Sequence, residues 1–216
     1  MEAMEMGGAV FGDVSQAVHV AYAVMAQGAS QGAPLRKALL RVMEEVQLAS
    51  EEQRHWLDQL RGERNATVNF EGLSRLDIRA QCALVAQAVR TKLPDAEKWV
   101  LQARYGHTDF EDADGARRFA FSAERIAAIQ GLSQWLAPLL PKIPQLALDC
   151  MLGRLYANHS KIDISSRDLA QQFGGNQMQY IRASKKIKEH LRALEAQALA
   201  RLEPHFAQHG LVARNN

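Results

Sequence analysis

The chain has 216 residues, of which 47% are hydrophobic and 23% charged, a composition typical of a soluble protein with one or two domains. Its 26 basic and 24 acidic residues give a net charge of +2, which excludes a strongly basic nucleic-acid coat protein and an acidic disordered tail but allows a local basic patch. The two cysteines, Cys82 and Cys150, have no CxxC motif, so we expect neither a zinc site nor a disulfide framework.

The N-terminal 60 residues are expected to form a helical unit. Throughout the chain, apolar residues recur at intervals of three and four, which predicts helices and no strand pair. Ser50 and Gln53 have the spacing of a capping box, and the acidic Glu44 and Glu51 accompany an apolar stripe that suits a protein partner or dimerisation better than phosphate. The predicted helices lie at about 14–27, 35–48 and 51–60.

A polar, aperiodic stretch from Arg61 to Gly72 is the predicted domain boundary, and residues 73–216 are the predicted DNA-binding domain. Within that domain, His107 to Gly115 is predicted to be an acidic loop. The fold expected for the whole chain is an all-α helical bundle with a C-terminal helix-turn-helix. Further helices are predicted at about 73–93, 94–106, 117–136, 144–157, 165–173 and 176–205.

The helix-turn-helix is predicted from the segment between Ser165 and Ile187. Ser165 and Asp168 have the spacing of a capping box at the start of the first helix. Gly174 falls where the turn needs a positive φ, and Asn176 with Gln179 can cap the second helix. We therefore expect two helices separated by a turn at Gly174.

The second helix of this motif is predicted to present a basic surface to the major groove of DNA. The segment from Arg182 to Arg192 contains five basic residues and a single acidic one, Glu189. Arg182 is suited to a bidentate contact with guanine and Gln177 to one with adenine, whereas Lys186 and Lys188 suit phosphates. The predicted DNA-binding residues are Ser166, Arg167, Asn176, Gln177, Met178, Ile181, Arg182, Lys185, Lys186 and Lys188. The alternative is the solvated face of an ordinary bundle helix.

The order of a helix after Pro144, a loop, the motif SSRDLAQQFG from Ser165, and a long helix resembles region four of bacterial sigma factors. The segment from Leu93 to Gly106 resembles the opening helix of that region. Gly175 departs from the family pattern, in which an apolar residue usually follows the turn glycine. The resemblance implies promoter-DNA binding and contact with RNA polymerase. Without the sigma regions that melt promoters, the plan is loosely similar to phage late-gene antiterminators of the Q type.

A degenerate first copy of the helix-turn-helix is a further interpretation. The segment from Leu93 to Tyr105 parallels the one that starts at Ile143, and SAERIAAIQG from Ser122 parallels the motif from Ser165. The second helix of this copy, Leu132 to Ala137, would be stopped by Pro138 after less than two turns. Chance similarity between alanine-rich helices explains the same observations.

No motif for catalysis, a cofactor or a metal is recognisable, so we expect a non-enzyme without a cofactor. His205 and His209 lack a third ligand, and the acidic loop lacks the spacing of a calcium site. No apolar run is long enough to span a membrane, and a cytoplasmic location is expected. The leading hypothesis is a sequence-specific transcription regulator that binds double-stranded DNA and RNA polymerase, with homo-oligomerisation left open. The alternatives are a helical adaptor or phage packaging subunit with loose DNA binding, and a purely protein-binding helical module.

Overall fold

The structure is a computed structural model that describes residues 9–26, 68–70, 72–113, 116–157 and 164–213. These residues are mostly helical, which confirms the all-α fold class. The predicted helices at 35–48 and 51–60 lie outside the described residues. The described elements are α1 (Val14–Ala26), α2 (Arg75–Lys92), α3 (Asp95–Tyr105), β1 (Thr108–Ala113), β2 (Ala116–Phe121), α4 (Ala123–Leu136), a 3-10 helix (Ala137–Leu139), α5 (Gln145–Tyr156), α6 (Ser166–Phe173) and α7 (Gln177–Gln208).

The chain divides into two compact units, of residues 1–92 with 199–216 and of residues 93–198. In the first unit, α1 packs against α2. Helix α1 is apolar around almost its whole circumference and is buried on nearly all sides. Arg79 of α2 donates from Nη1 to the carbonyl of Val24 in the last turn of α1, at 3.3 Å. This hydrogen bond adds to the packing between the two helices.

This division differs from the predicted boundary at residues 61–72. Helix α2 was assigned to the DNA-binding domain, but it belongs to the first unit, and the second unit begins at Leu93. The physical reason is that α2 carries an apolar stripe that is buried in contact with α1, a helix that is itself apolar on nearly all sides. The buried stripe of α2 consists of Ile78, Cys82, Val85, Ala86, Ala88 and Val89.

In the second unit, α4 packs against both α3 and α5, and Arg125 of α4 joins their C-terminal ends. Its Nε donates to the carbonyl of Ala103 at 2.8 Å, and its Nη2 donates to that of Tyr156 at 2.7 Å. The guanidinium also lies 4.7 Å from the centre of the Phe121 ring. Burial lowers the pKa of Arg125 to about 10, so the side chain remains a cation at neutral pH. A cation at two helix C-termini satisfies free carbonyls and the helix dipoles together.

An antiparallel hairpin of β1 and β2 replaces the predicted acidic loop and the first turns of the predicted helix at 117–136. The register places Glu111 opposite Arg118 and Asp112 opposite Arg117. In the sequence, acidic residues before the turn and basic residues after it favour an antiparallel pair. Phe119 and Phe121 also alternate with other residues at the period of two that strands use. The expectation of no strand pair was therefore wrong.

The degenerate first copy of the helix-turn-helix is not formed. Ser122 caps α4, since its side chain accepts a hydrogen bond from the backbone of Arg125. Gly131, at the place of the turn glycine, lies inside the continuous helix α4. A Cβ on Gly131 would lie 2.5 Å from Cδ2 of Trp99, so this glycine allows close helix packing instead of a turn. Residues 132–136 are the end of α4 and not a separate second helix.

Candidate nucleic-acid interface

The turn between α6 and α7 consists of Gly174, Gly175 and Asn176. Gly174 has a φ of 81° and Gly175 a φ of 85°, a region that residues with a Cβ rarely adopt. This confirms the predicted break at Gly174. It also explains the departure at Gly175, because a second consecutive positive φ requires glycine there. A short turn containing glycine is typical of helix-turn-helix motifs.

The N-terminus of α6 is closed by the predicted capping box. The Ser165 side chain accepts from the backbone N–H of Asp168 at 3.2 Å, and the Asp168 carboxylate accepts from the backbone N–H of Ser165 at 2.7 Å. The Asp168 carboxylate also accepts from the hydroxyl of Ser165 at 2.6 Å, and this bond, together with the one from the Ser165 backbone, holds the pKa of Asp168 below its usual range. In α5, Arg154 donates from Nη1 to the carbonyl of Ile164, next to this cap. The start of α6 is thus fixed both locally and to α5.

The start of α7 is held by Asn176 and Gln179. The Asn176 side chain accepts from the backbone N–H of Gln179 at 2.9 Å, as the sequence predicted for the cap. The Gln179 side chain has a further role that sequence reasoning missed: its Nε2 donates to the carbonyl of Lys142 at 2.7 Å. Gln179 therefore positions the first turn of α7.

One side of α7 is buried, because apolar residues recur along the helix at intervals of three and four. Tyr180 is fully buried, and its hydroxyl donates to the carbonyl of Gly174 at 3.0 Å, which joins the core to the turn. Further along α7, the Glu195 carboxylate accepts from Nη1 of Arg104, and also from the hydroxyl of Tyr105 at 3.2 Å, both in α3. The buried side chains of α7 within the second unit are Tyr180, Ala183, Ile187, Leu191, Leu194 and Ala198.

The opposite side of α7 is exposed and carries most of the predicted DNA-binding residues. Ser166 and Arg167 belong to the first turn of α6, where Ser166 is half-buried and Arg167 exposed. Asn176 lies in the turn and is exposed. The other predicted residues share the exposed side of α7: Gln177, Met178, Ile181, Arg182, Lys185, Lys186 and Lys188.

The charges on this side of α7 are distributed around its exposed arc. At about 100° per residue, Lys186 and Lys188 lie about 160° apart and are the outermost cations, so they form the two borders of a basic arc. Arg182 and Lys185 lie between them. The exposed Arg192, one turn beyond Lys188, adds a fifth cation that the list of predicted DNA-binding residues did not include. Such an arrangement is suited to a DNA groove, because the outer cations can reach the phosphates of both strands while the side chains between them face the bases.

The other sites considered in the sequence do not gain a ligand set. His205 and His209 have ring centres 4.5 Å apart, and burial together with His209 and Lys92 lowers the pKa of His205. Among the described residues, no group of three or more His, Cys, Asp or Glu side chains could hold a metal. Cys82 is a free buried thiol whose pKa burial raises to about 12. Within the same residues no helix is long and apolar enough to cross a membrane.

Comparison with known proteins adds no further constraint. No protein-family profile matches the sequence, and no curated protein sequence is significantly similar to it. The contact of α7 with DNA and the likeness to sigma region four therefore stay predictions. They depend on the residues and geometry described above.

Proposed function

We propose that this protein is a sequence-specific DNA-binding regulator of transcription, with α7 as the helix that enters the major groove. The observation that carries the proposal is the exposed basic side of α7, which begins directly after a glycine turn. Gln177 and Arg182 are the candidates for base contacts, and Lys186 and Lys188 contact the two phosphate strands. Their exposure and their order along the helix support these roles.

The regulator contacts RNA polymerase in this proposal. The support is the resemblance of the segment from Ser165 onwards to sigma region four, together with the composition of the N-terminal residues. The first compact unit is then the partner-binding or dimerising unit, and the second binds DNA. A phage antiterminator-like role is the form of regulation that this plan resembles most.

The test is a binding titration of the full chain against random and selected DNA duplexes. Changing Lys185, Lys186 and Lys188 together to Gln should weaken binding by at least tenfold in low salt, because fewer cations displace counterions. The matched control is the exposed Arg75 of α2, which lies in the other compact unit. Arg75→Gln also removes positive charge and should leave affinity nearly unchanged. Because Arg75→Gln removes one positive charge and the triple change removes three, a loss in the logarithm of affinity about a third as large for Arg75→Gln would mean that only net charge matters.

The alternative is a helical adaptor or phage packaging subunit that binds DNA without sequence preference. The same lysines support it, because phosphate contacts need no base contacts. Selection of binding sites from a random pool separates the two functions. An enriched motif supports the regulator, whereas salt-dependent binding without enrichment supports the adaptor. A chain that binds no DNA at any salt concentration would be a protein-binding module.

A further inference from the structure

We propose that Met178 and Ile181 bind the C5-methyl groups of thymines, so that thymine is part of the DNA site. This inference rests on the proposed function. It assigns to two apolar side chains a specificity that neither the positive charge of α7 nor its hydrogen-bonding groups can supply.

The two side chains are exposed although they are apolar, and their exposed neighbours on α7 are mostly polar. Met178 is 53% exposed and Ile181 is 43% exposed, and both lie in the first two turns of the helix. Residues three apart are neighbours on a helix surface, so the pair forms one small apolar patch. The N-terminal turns of a recognition helix are the part that contacts base edges.

The position of this patch within the basic arc identifies its occupant. At about 100° per residue, Met178 and Ile181 lie between the directions of Lys188 and Arg182. Five cations against the single acid Glu189 follow the patch along the helix and give this side of α7 a positive charge, which is complementary to phosphate. When the bordering lysines contact phosphates, the middle of the arc faces the floor of the groove.

The floor of the major groove contains one apolar group that differs between bases, the methyl group of thymine. An apolar side chain gains nothing at phosphate or at the hydrogen-bonding edges of guanine, but it removes a methyl group from water. The neighbouring Gln179 is bonded to the carbonyl of Lys142, so it does not occupy this space. Met178 and Ile181 are therefore the specificity-determining residues for thymine beside the guanine assigned to Arg182.

The test replaces each thymine of the selected duplex by deoxyuridine, which removes only the methyl group, and measures the affinity of the full chain. Wild type should lose about three- to fivefold at one or two positions, since burial of one methyl-sized group changes an equilibrium constant about fourfold. Met178→Ala and Ile181→Ala should each bind the normal duplex more weakly and lose the sensitivity at one of those positions. Both side chains are exposed, so an unchanged melting temperature is expected for each variant.

Leu84→Ala is the matched control, because Leu84 is 52% exposed but lies on α2 in the other compact unit. This variant should keep the wild-type sensitivity to deoxyuridine. The inference is overturned if no deoxyuridine position affects wild type, if the selected site contains no thymine, or if both α7 variants remain as sensitive as wild type. In those cases specific binding itself persists, so the proposed function survives. Absence of any DNA binding by wild type would overturn both this inference and the proposed function. Protection of Met178 and Ile181 by RNA polymerase and not by DNA would also overturn both.

Discussion

Arg182 and Lys186 lie one turn apart on the exposed side of α7, yet they are expected to act on DNA in different ways. Arg182 points between the two borders of the basic arc, whereas Lys186 lies on one border. Arg182→Ala should lower affinity for the selected site by roughly 1 to 3 kcal/mol and relax the preference at one base pair, because a bidentate guanine contact is lost. Lys186→Ala should weaken all sequences about equally. Selection of binding sites with each variant is the measurement, and an unchanged motif for Arg182→Ala contradicts its role.

Arg125 should contribute to the stability of the protein and not to its binding of DNA. Arg125→Met leaves the carbonyls of Ala103 and Tyr156 without their donors, at about 1 to 3 kcal/mol for each buried group. We expect a loss of about 2 to 5 kcal/mol in the free energy of unfolding by urea denaturation. Arg125→Lys keeps the charge but cannot reproduce the two-sided contact, so its loss should be intermediate.

The exposed Arg192 provides the control for this experiment. Arg192→Met removes an arginine of the same unit and should change the free energy of unfolding by less than about 0.5 kcal/mol. If Arg125→Met were equally mild, the carbonyls at the ends of α3 and α5 would have another donor, and Arg125 would not hold these helices together.

At the scale of elements, the turn between α6 and α7 depends on Gly175. Gly175→Ala places a Cβ at a φ of 85° and 2.7 Å from Oε1 of Gln179, so the backbone is strained and the Gln179 side chain must move. We expect a loss of about 1 to 2 kcal/mol in stability and weaker DNA binding, because the hydrogen bond to Lys142 positions the start of α7. Thermal melting and a binding titration measure the two effects.

Gly153 of α5 is the matched control for Gly175. It lies inside a helix, and a Cβ there would have no atom within 4 Å. Gly153→Ala should therefore maintain or raise the melting temperature, because alanine favours a helix over glycine. A Gly175→Ala protein with wild-type melting and binding would show that the turn tolerates a side chain and that Gln179 does not position α7.

At the scale of the whole molecule, DNA binding is expected of the second compact unit alone. A fragment of residues 93–198 should keep most of the DNA affinity of the full chain, with a binding constant that falls as salt rises, because the basic side of α7 is retained. The same fragment should lose the effect on transcription, since the residues proposed to bind the partner are removed. A salt series and a transcription assay measure these outcomes. Normal regulation by the fragment would place the partner surface in the second unit.

The solubility of such a fragment should depend on the residue at which it begins. A fragment that began at Leu73, at the predicted boundary, would carry α2 without α1 and expose its buried stripe, including Cys82, Val85 and Val89. We expect it to aggregate more than the fragment of residues 93–198. Light scattering at equal concentration compares them. Equal solubility of the two fragments would mean that α2 has another partner for this stripe.

Local signals in the sequence determined the helices and the glycine turn between α6 and α7. The capping box of Ser165 and Asp168, the turn at Gly174 and the buried stripe of α7 depend on neighbours within a few residues, and all three were predictable. The exposure of the basic residues followed from the same helical period. These features depend on interactions between residues that are close in sequence, so they can be predicted from a short segment alone.

Only the tertiary structure decided which helices share a core. The sequence contained the apolar stripe of α2 but not its partner, and the division into compact units at residues 92 and 93 follows from packing against α1. Gly131 and Gly174 occupy matching places in two similar segments, yet Gly131 lies inside a helix, where it packs closely against Trp99. The Arg125 contacts and the hydrogen bond from Gln179 to Lys142 join residues 22 to 37 positions apart. Such long-range pairings have no periodic signal, because they are fixed by how the elements pack.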